Sequence, residues 1–400
     1  MINISDKTNC SGCSACAAIC PKDCIKMNVD EEGFAYPCVD GMECINCGAC
    51  EKVCPIINKS EEVVSPQDAY VVQNKDQEVL RESTAGGAFT SIAEYVIKNG
   101  GVVFGVTLTD DFTAKHICVE SISALKQFRN SKYMQSYEDG NAFKKVKVFL
   151  KQKRLVCYSG TPCQVEGLLH FLGKNYDNLI TVDVVCRAVP SPMIFKKYIQ
   201  FQNKALNSNV KNVRFRDKYY GYKYSTMNVT TETNGGNYHK GVDTDKWLKA
   251  FFSGMCLRPS CYCCEFKKRY RSSDFTIWDC FNVGRFSRKL DNDKGATRML
   301  VHTEKGKQIM NEILNTFEYV KVEPEQIIAG TAEMTKSVQY NKLRDQFMQD
   351  ANLMDPSDLF NKYFPDTLKT KLEHFVRMFC YRLGVYGIMK KIYVRITHKY

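Results

Sequence analysis

Ten of the 20 cysteines in the chain fall within its first 54 residues, and eight of these ten form two copies of one spacing. Each copy has the pattern C-x2-C-x2-C-x3-C-P, which is typical of bacterial ferredoxins with two clusters. Three cysteines of a copy hold corners of one [4Fe-4S] cubane, and the fourth reaches the other cubane. The predicted ligands are Cys10, Cys13, Cys16 and Cys54 for one cluster, and Cys20, Cys44, Cys47 and Cys50 for the other. Cys24 and Cys38 lie outside the pattern and are predicted to be buried structural thiols.

A second group of cysteines lies some two hundred residues further along. The stretch CLRPSCYCCEF contains Cys256, Cys261, Cys263 and Cys264. Cys163 and Cys186 each follow a predicted strand, and ligands in open α/β sheets collect outside the carboxyl ends of strands. Together with the C-x2-C pair Cys261 and Cys264, these two can hold a third [4Fe-4S] cluster. Zinc is an open alternative at this site, and so is Cys256 or Cys263 in place of one of the four.

A small loop of Ser83, Thr84, Gly86 and Gly87 precedes a predicted helix. Apolar residues at helical spacing predict this helix over residues 88–98, and residues 102–108 are predicted as a strand. The start of a helix offers free backbone N–H groups and the positive end of a dipole to a phosphate. The loop is therefore a candidate phosphate site, with an ordinary helix cap as the alternative.

The composition indicates a soluble protein of several domains. Its 400 residues are 44% hydrophobic and 25% charged, which is ordinary for globular proteins. The sequence has no apolar stretch of signal-peptide or membrane-spanning length, so we expect the protein to stay in the cytoplasm. Cytoplasmic thiols are kept reduced, and metal ligation is therefore favoured over disulfides for the cysteines.

The ordered set of motifs resembles the coenzyme F420 hydrogenase/dehydrogenase beta-subunit family, in the bacterial branch with a fused N-terminal two-cluster [4Fe-4S] ferredoxin domain. After the ferredoxin pattern, the motifs are STAGGAFTS, SGTPCQ, VCRAVPSP, CLRPSCYCCEF, SSDFTIWD and LDNDKGATRMLVHTEKG. The likeness covers about residues 1 to 320. It implies an iron-sulfur flavoprotein whose core domain binds FAD beside a [4Fe-4S] cluster.

Matching to the family's motifs also assigns individual residues. The resemblance makes Cys163, Cys186, Cys261 and Cys264 the ligands of the core cluster. It places Ser83, Thr84, Gly86, Gly87, Asp274 and Thr276 near the flavin, and it singles out no catalytic residue. Two departures stand out: Cys-Arg-Ala at 186–188 replaces Cys-His-Gly, and Trp278 stands where the family usually has glycine. We interpret Trp278 as a buried core indole, with stacking on a ring system as the alternative.

The sequence predicts a multidomain protein that combines the α+β and α/β classes. A bacterial-type 2[4Fe-4S] ferredoxin module at residues 1–60 is followed by a linker at 61–78. The α/β flavin and iron-sulfur core has two parts, at 79–150 and 151–345, and the second part contains the third cluster site. A basic helical tail follows at 346–400.

The resemblance implies an oxidoreductase that passes electrons from the ferredoxin clusters through the core cluster to FAD and on to a hydride-accepting substrate, or the reverse. The implied partners are a redox protein and a small molecule, with polysaccharide biosynthesis as the context. The cations Lys267, Lys268, Arg269 and Arg271 favour an anionic substrate such as a nucleotide sugar; coenzyme F420 is disfavoured. The alternatives are an electron-transfer subunit without flavin, and a ferredoxin fused to a zinc-binding interaction domain.

The C-terminal segment, residues 366–400, holds eight Lys or Arg residues and two acids, a net charge of +6 out of +12 for the chain. Leu368, Leu372, Phe375, Phe379 and Leu383 form one apolar helical face. A basic amphipathic helix predicts peripheral contact with the inner face of a membrane, with packing on the core or a partner as the alternative. We expect no nucleic-acid binding, because the basic excess has no recognised binding motif with it.

Overall fold

A computed structural model describes residues 1–137, 140–233, 238–386 and 388–389 of the chain. The strands are β1 (Ile25–Val29), β2 (Ala35–Val39), β3 (Asp68–Asn74), β4 (Val102–Leu108), β5 (Ala114–Val119), β6 (Val156–Gly160), β7 (Leu179–Val184), β8 (Val210–Asp217), β9 (Thr226–Thr231), β10 (Tyr238–Lys240), β11 (Phe275–Asp279), β12 (Thr297–Val301) and β13 (Phe317–Val322). The helices are α1 (Ala15–Ile19), α2 (Ala49–Lys52), α3 (Gln77–Glu82), α4 (Ala88–Lys98), α5 (Asn141–Lys151), α6 (Pro162–Leu172), α7 (Pro192–Ala205), α8 (Lys246–Ser253), α9 (Glu304–Ile313), α10 (Pro324–Ile328), α11 (Arg344–Leu353), α12 (Pro356–Tyr363) and α13 (Leu368–Arg382).

The N-terminal module repeats one local structure around its two cysteine triplets. Ser14 and Gly48, each preceded by a cysteine, take left-handed conformations with φ of 65° and 70° and begin α1 and α2. The third cysteine of each triplet, Cys16 or Cys50, lies in that short helix. The antiparallel hairpin of β1 and β2 connects the two copies. This arrangement confirms the predicted ferredoxin-type module.

The core is built on a mixed sheet of eight strands in the order β13-β3-β12-β11-β7-β6-β4-β5. The neighbours β4, β6, β7 and β11 are parallel, and the other pairings are antiparallel. The carboxyl ends of the parallel strands therefore lie along one edge of the sheet. Cys163 follows β6 and Cys186 follows β7 at this edge, which is where open α/β sheets bind ligands.

Helices cover both faces of this sheet, because neighbouring strand residues such as Val102 and Val103 point to opposite sides. On the side of Val103, α4 and α9 pack with Ile92 and Ile309. On the side of Val102, α5 and α6 pack together with residues of the ferredoxin module. The module therefore sits on the helices next to β6, close to the end of that strand.

A second hydrophobic core lies between the antiparallel sheet β10-β9-β8 and the helices α7, α8, α11 and α12. Phe195, Trp247 and Phe360 are fully buried in it. Residues 346–363, predicted as part of the tail, are thus folded core, because their apolar side chains pack against α7 and α8. The tail begins with α13. In the described ranges no helix is long and apolar enough to cross a membrane, and residues 387 and 390–400 lie outside those ranges.

Part of the predicted linker is a buried strand. Within residues 61–78, β3 lies between β12 and β13, and its Val71 and Val72 are fully buried. The partners of β3 come more than two hundred residues later in the chain, with Val72 opposite Thr297 and Tyr319, so no local pattern reveals the pairing. The two predicted parts of the core also share one sheet, since β4 pairs with β6.

Gly86 allows the loop before α4 to touch the sheet directly. A Cβ at this position would lie 2.3 Å from the carbonyl oxygen of Val72 and 2.6 Å from the backbone nitrogen of Thr297. Backbone atoms cannot move aside as side chains do, so the loop fits against the sheet only with glycine.

We expect Gly86→Ala to lower the free energy of unfolding by about 1–3 kcal/mol or more through overpacking. Gly41→Ala is the matched control, because a Cβ there meets nothing within 4 Å; its effect should stay within about 0.5 kcal/mol. Denaturant unfolding of anaerobically prepared protein measures both. Equal stability of the two variants would show that the loop does not press on the sheet.

Candidate iron-sulfur centres and the adjoining polar cluster

The predicted ligands of the first ferredoxin cluster lie together on the side of the module that faces the core. Burial, with contributions from the neighbouring Cys10 and Cys54, raises the pKa of the Cys13 thiol to about 12. Burial also raises the pKa of Cys16, again with contributions from Cys13, Cys10 and Cys54. Gly167 of α6 touches this set: a Cβ there would lie 2.9 Å from Sγ of Cys13. The structure thus brings together the crossed set inferred from the spacing.

The predicted ligands of the second cluster line a cavity on the other side of the module. The cavity is open to solvent, and its wall includes Cys20, Cys44, Cys47 and Cys50. Cys24 lines it as well, with its Sγ 3.3 Å from Sγ of Cys20. Cys24 is buried, but Cys38 is exposed, so the prediction of a buried thiol was wrong for Cys38. A solvent-facing set of thiols suits a centre that exchanges electrons with another protein.

Four thiols of the core meet at the carboxyl edge of the large sheet. Cys163 lies in the first turn of α6, Cys186 two residues after β7, and Cys261 and Cys264 at a short turn of residues 259–263. Burial raises the pKa of Cys163, and the charges of Cys264, Cys186 and Cys261 raise it further. Buried thiols so close together ionise only when a cation such as iron balances them. The donor set therefore fits a [4Fe-4S] cluster.

Of the alternative ligands, Cys256 lies apart from these four thiols, whereas Cys263 is next to Cys264 and raises its pKa. Cys256 is fully buried in the second core, where burial raises its pKa to about 12 and no other thiol contributes. Cys263 is exposed. Among the described residues, no group of three or more His, Cys, Asp or Glu side chains could hold a single metal ion.

Two cations flank the core thiols, the half-buried Lys267 and the buried Arg271. Lys267 donates from Nζ to the carbonyl oxygens of Cys186 and Arg187, and Arg271 donates to Asp183 at 3.0 Å. Burial raises the pKa of Cys186 to about 11, against the lowering effect of both cations. Nη2 of Arg271 is buried and has no hydrogen-bond partner in the described part of the chain. An unpaired buried donor beside the thiols is what an anionic cluster would satisfy.

The other two cations of this run bind elsewhere. Lys268 pairs with the buried Glu166 at 2.8 Å, and Arg269 pairs with Glu325 at 3.3 Å. The prediction that the whole run faces a substrate is therefore corrected, because protein carbonyls and carboxylates already hold these side chains.

The predicted flavin loop lies at the same edge of the sheet as the core thiols. Thr84 Oγ1 accepts a hydrogen bond from the backbone N–H of Ser131 at 2.7 Å. Gly86 N donates to Oγ1 of Thr297 at 2.8 Å. Gly87 caps α4 in a left-handed conformation with φ of 77° and gives the helix no side-chain cap. Ser83 is buried at the end of α3. The first N–H groups of α4 can thus meet an anion.

Asp274 and Thr276 lie at the opposite end of β11 from this loop. Oδ2 of Asp274 accepts from the backbone N–H of Thr181 at 2.8 Å, and Oδ1 accepts from Thr303 at 2.6 Å. Thr276 is fully buried and its hydroxyl meets Nε2 of His302 at 2.8 Å. Register places Asp279, not Asp274, opposite Thr297. The structure does not bring these two residues to the loop, and it gives both of them structural hydrogen bonds.

Trp278 packs on the side of the sheet that carries α10. Its Nε1 donates to Oγ1 of Thr331 at 3.3 Å, and the guanidinium of Arg298 lies 6.0 Å from the ring. The indole therefore has protein partners, but it is half-buried, so the prediction of a buried core indole is met only in part.

A polar cluster that the sequence did not reveal adjoins the loop. It consists of Ser131, Tyr133, Arg216, Lys218 and Asp279. Arg216 donates to the hydroxyl of Tyr133 at 2.9 Å and to Asp279 at 3.3 Å, while its Nη2 is buried without a partner among the described residues. Nζ of Lys218 donates to the carbonyl oxygens of Ala85 and Lys294 at 2.7 Å. Alternating cations on β8, in the stretch RFRDK, were the available indication.

Tyr133 joins this polar cluster to the core thiols. Its ring stacks on Phe251 with centroids 4.9 Å apart, and it packs against the small buried group that contains Cys261 and Ala188. Burial lowers the pKa of Lys218 to about 7, so the lysine holds its charge best when an anion is nearby. The core thiols and the candidate anion-binding loop at residues 83–87 therefore belong to one candidate site.

A comparison with solved structures finds a distant likeness. A chain of the F420-reducing [NiFe] hydrogenase complex from Methanosarcina barkeri is 17% identical, over 76% of this chain and 91% of that chain, with a TM-score of 0.44. A likeness at this level carries no argument about activity. No curated protein matches the chain.

Two family models match. The model for the C terminus of the beta subunit of coenzyme F420 hydrogenase/dehydrogenase covers residues 153–326, and the model for a 4Fe-4S dicluster domain covers residues 9–56. These matches confirm the resemblance carried by the motifs. The chain therefore resembles the coenzyme F420 hydrogenase/dehydrogenase beta-subunit family in its residues 153–326, and its residues 9–56 match a 4Fe-4S dicluster domain.

Proposed function

We propose that the chain is an iron-sulfur flavoprotein oxidoreductase that carries electrons between a redox partner protein and a small molecule that accepts or donates hydride. The observation that carries the proposal is the meeting of Cys163, Cys186, Cys261 and Cys264 at one sheet edge, beside a docked dicluster module. Bound clusters exchange single electrons, and a bound flavin links them to hydride chemistry.

The chain's own residues have distinct tasks in this proposal. The four core thiols hold the third cluster, and the half-buried Lys267 and the buried Arg271 balance its negative charge. The start of α4 and the free Nη2 of Arg216 receive an anionic part of FAD. Tyr133 fills the space between the two regions and excludes water from it.

The substrate and cellular context extend the same proposal. A nucleotide sugar in polysaccharide biosynthesis suits an anion-binding edge, and coenzyme F420 is the less favoured substrate. We place the protein in the cytoplasm, at the inner face of the membrane.

Metal and flavin content separates this proposal from its two alternatives. Anaerobically purified protein should contain about twelve irons per chain, one FAD and no zinc. About twelve irons without flavin would identify a non-flavin electron-transfer subunit of a partner reductase. About eight irons with zinc would identify a ferredoxin joined to a zinc-binding interaction domain.

Removal of one core thiol tests the ligand assignment. Cys186→Ser should lower the iron content from about twelve to about eight per chain, because a cluster with three thiolates is easily lost. Cys263→Ser is the matched control in the same loop, since Cys263 is exposed and should leave the iron content unchanged. If Cys263→Ser loses iron and Cys186→Ser does not, Cys263 is the fourth ligand of the core cluster in place of Cys186.

Removal of the buried cation tests the flavin position. Arg216→Gln should weaken FAD binding about tenfold or more, because a charge-assisted hydrogen bond contributes about 1.5–3 kcal/mol. Arg214→Gln on the same strand is the control, because Arg214 pairs with Asp217 at 3.2 Å and is partly exposed. Reconstitution with FAD, followed by flavin fluorescence, gives both affinities. Equal FAD affinities of the two variants would show that the flavin does not contact the polar cluster.

The tail supports a contact with an anionic membrane surface. α13 packs on the core through polar contacts, with Tyr381 donating to Asp293 at 3.2 Å and His374 lying 3.3 Å from the hydroxyl of Tyr224. Its apolar face points outward, so that Leu368 is 85% exposed. An apolar face rimmed by basic residues suits the boundary of an anionic bilayer.

Acidic substitutions on this face should release the protein from vesicles. Leu372→Glu combined with Phe379→Glu should reduce sedimentation with phosphatidylserine vesicles about tenfold or more, because apolar burial and charge attraction are both lost. Leu353→Glu is the control, because Leu353 is as exposed as Leu368, at 85%, but lies in α11. If the wild type does not bind vesicles but forms dimers, and the double variant is monomeric, the apolar face of α13 is a contact between two copies of the chain.

A further inference from the structure

Arg258 links the core thiols to the first ferredoxin set. Its backbone belongs to the core loop, because its N–H donates to the carbonyl oxygen of Val189 at 2.9 Å and its own carbonyl accepts from the N–H of Cys261 at 2.9 Å. Its side chain leaves this loop, is fully buried, and ends in the ferredoxin module. One residue therefore spans two predicted centres.

The guanidinium of Arg258 is fixed on all sides. It donates from Nε to the carbonyl oxygen of Cys10 at 2.8 Å, from Nη1 to Gln135 at 2.8 Å and from Nη2 to the carbonyl oxygen of Ala35 at 3.0 Å. It lies 4.2 Å from the ring centroid of Tyr36. Nη2 also lies 3.5 Å from Sγ of Cys10, a predicted cluster ligand.

Gly12 makes room for this side chain. It has a φ of 73°, and a Cβ on it would lie 2.9 Å from Nη1 of Arg258 and 2.6 Å from Nε2 of Gln135. The backbone beside Cys10 is thus shaped around the guanidinium.

No carboxylate neutralises Arg258. Its partners are carbonyl oxygens, an amide and a thiol, and within the described ranges it forms no ion pair. A buried cation without an anion is costly. A cluster held by four thiolates is an anion whose negative charge increases when it accepts an electron, so a fixed cation beside it favours the reduced state.

We propose that Arg258 is a positioning residue that raises the reduction potential of the centre held by Cys10, Cys13, Cys16 and Cys54 and holds this centre against the core thiols. The inference rests on the proposed function, and it gives the order in which the centres exchange electrons. A centre held by Cys20, Cys44, Cys47 and Cys50 would exchange single electrons with the partner protein, and the centre beside Arg258 would exchange them with the core. No bond forms or breaks in these transfers.

Arg344 provides the matched control for a purely mechanical role. It joins the same module to the same loop, because it donates from Nη1 to Glu32 at 2.9 Å and from Nη2 to the carbonyl oxygen of Leu257 at 3.0 Å. It touches no cysteine of the module. The charge-neutral double variant Glu32→Gln with Arg344→Gln therefore loosens the interface without removing net charge.

Potentiometric titration followed by EPR spectroscopy, on anaerobic full-length protein, tests the inference. In Arg258→Gln the potential of one ferredoxin centre should fall by about 59 mV or more, which is a tenfold change in a one-electron equilibrium. Arg258→Lys, which keeps the charge and loses the planar fork, should shift the same centre in the same direction by less. The Glu32→Gln, Arg344→Gln variant should leave all potentials unchanged.

Two results would overturn the inference. Unchanged potentials in Arg258→Gln, or an equal shift in the Arg344 control, would show that Arg258 only holds the interface. If Arg258→Gln fails to fold, Arg258→Lys decides by the same criterion. Iron content separates this failure from that of the proposed function: wild-type protein with fewer than about eight irons lacks the ferredoxin centres themselves, whereas full iron with unshifted potentials refutes only the role of Arg258.

Discussion

The site depends on one constraint: thiols from three distant segments must meet at a single point. Parallel pairing of β6 and β7 meets this constraint, because it sets the carboxyl ends of both strands side by side. Cys163 and Cys186 follow those ends, and the loop with Cys261 and Cys264 closes over them. Without the parallel register, the two single cysteines would lie at different edges of the sheet and could not share one centre.

Charge is the second determinant of this arrangement. Closely spaced thiolates in a buried site repel one another, so cations have to be buried with them. Arg271 is buried beside the core set, with the half-buried Lys267 next to it, and Arg258 is buried beside the inner ferredoxin set. Arg258 binds the module directly, and Arg344 of α11 joins Glu32 of the module to the carbonyl oxygen of Leu257, the residue before Arg258. Under the inference drawn for Arg258, one of these two interface contacts also bears on the reduction potential of a centre, whereas the contact of Arg344 is mechanical only.

Local pattern predicted the elements that carry short-range information. The helix over residues 88–98 and the strand over 102–108 have the predicted bounds, and the cysteine spacing grouped the ferredoxin thiols correctly in space. What the sequence could not reveal is long-range. β3 was assigned to a linker because its partner strands come much later in the chain. Lys268 looked free because Glu166 lies 102 positions earlier, and the position of Asp274 at the far end of β11 depends on strand register.

The double anchoring of the ferredoxin module also determines how it can move. Arg344 holds the β1–β2 hairpin through Glu32, and Gly167 lets α6 lie directly on Cys13. A module held at separate points on two elements has no hinge about which to swing. In the proposed relay, the gap that an electron crosses between the inner centre and the core is therefore fixed.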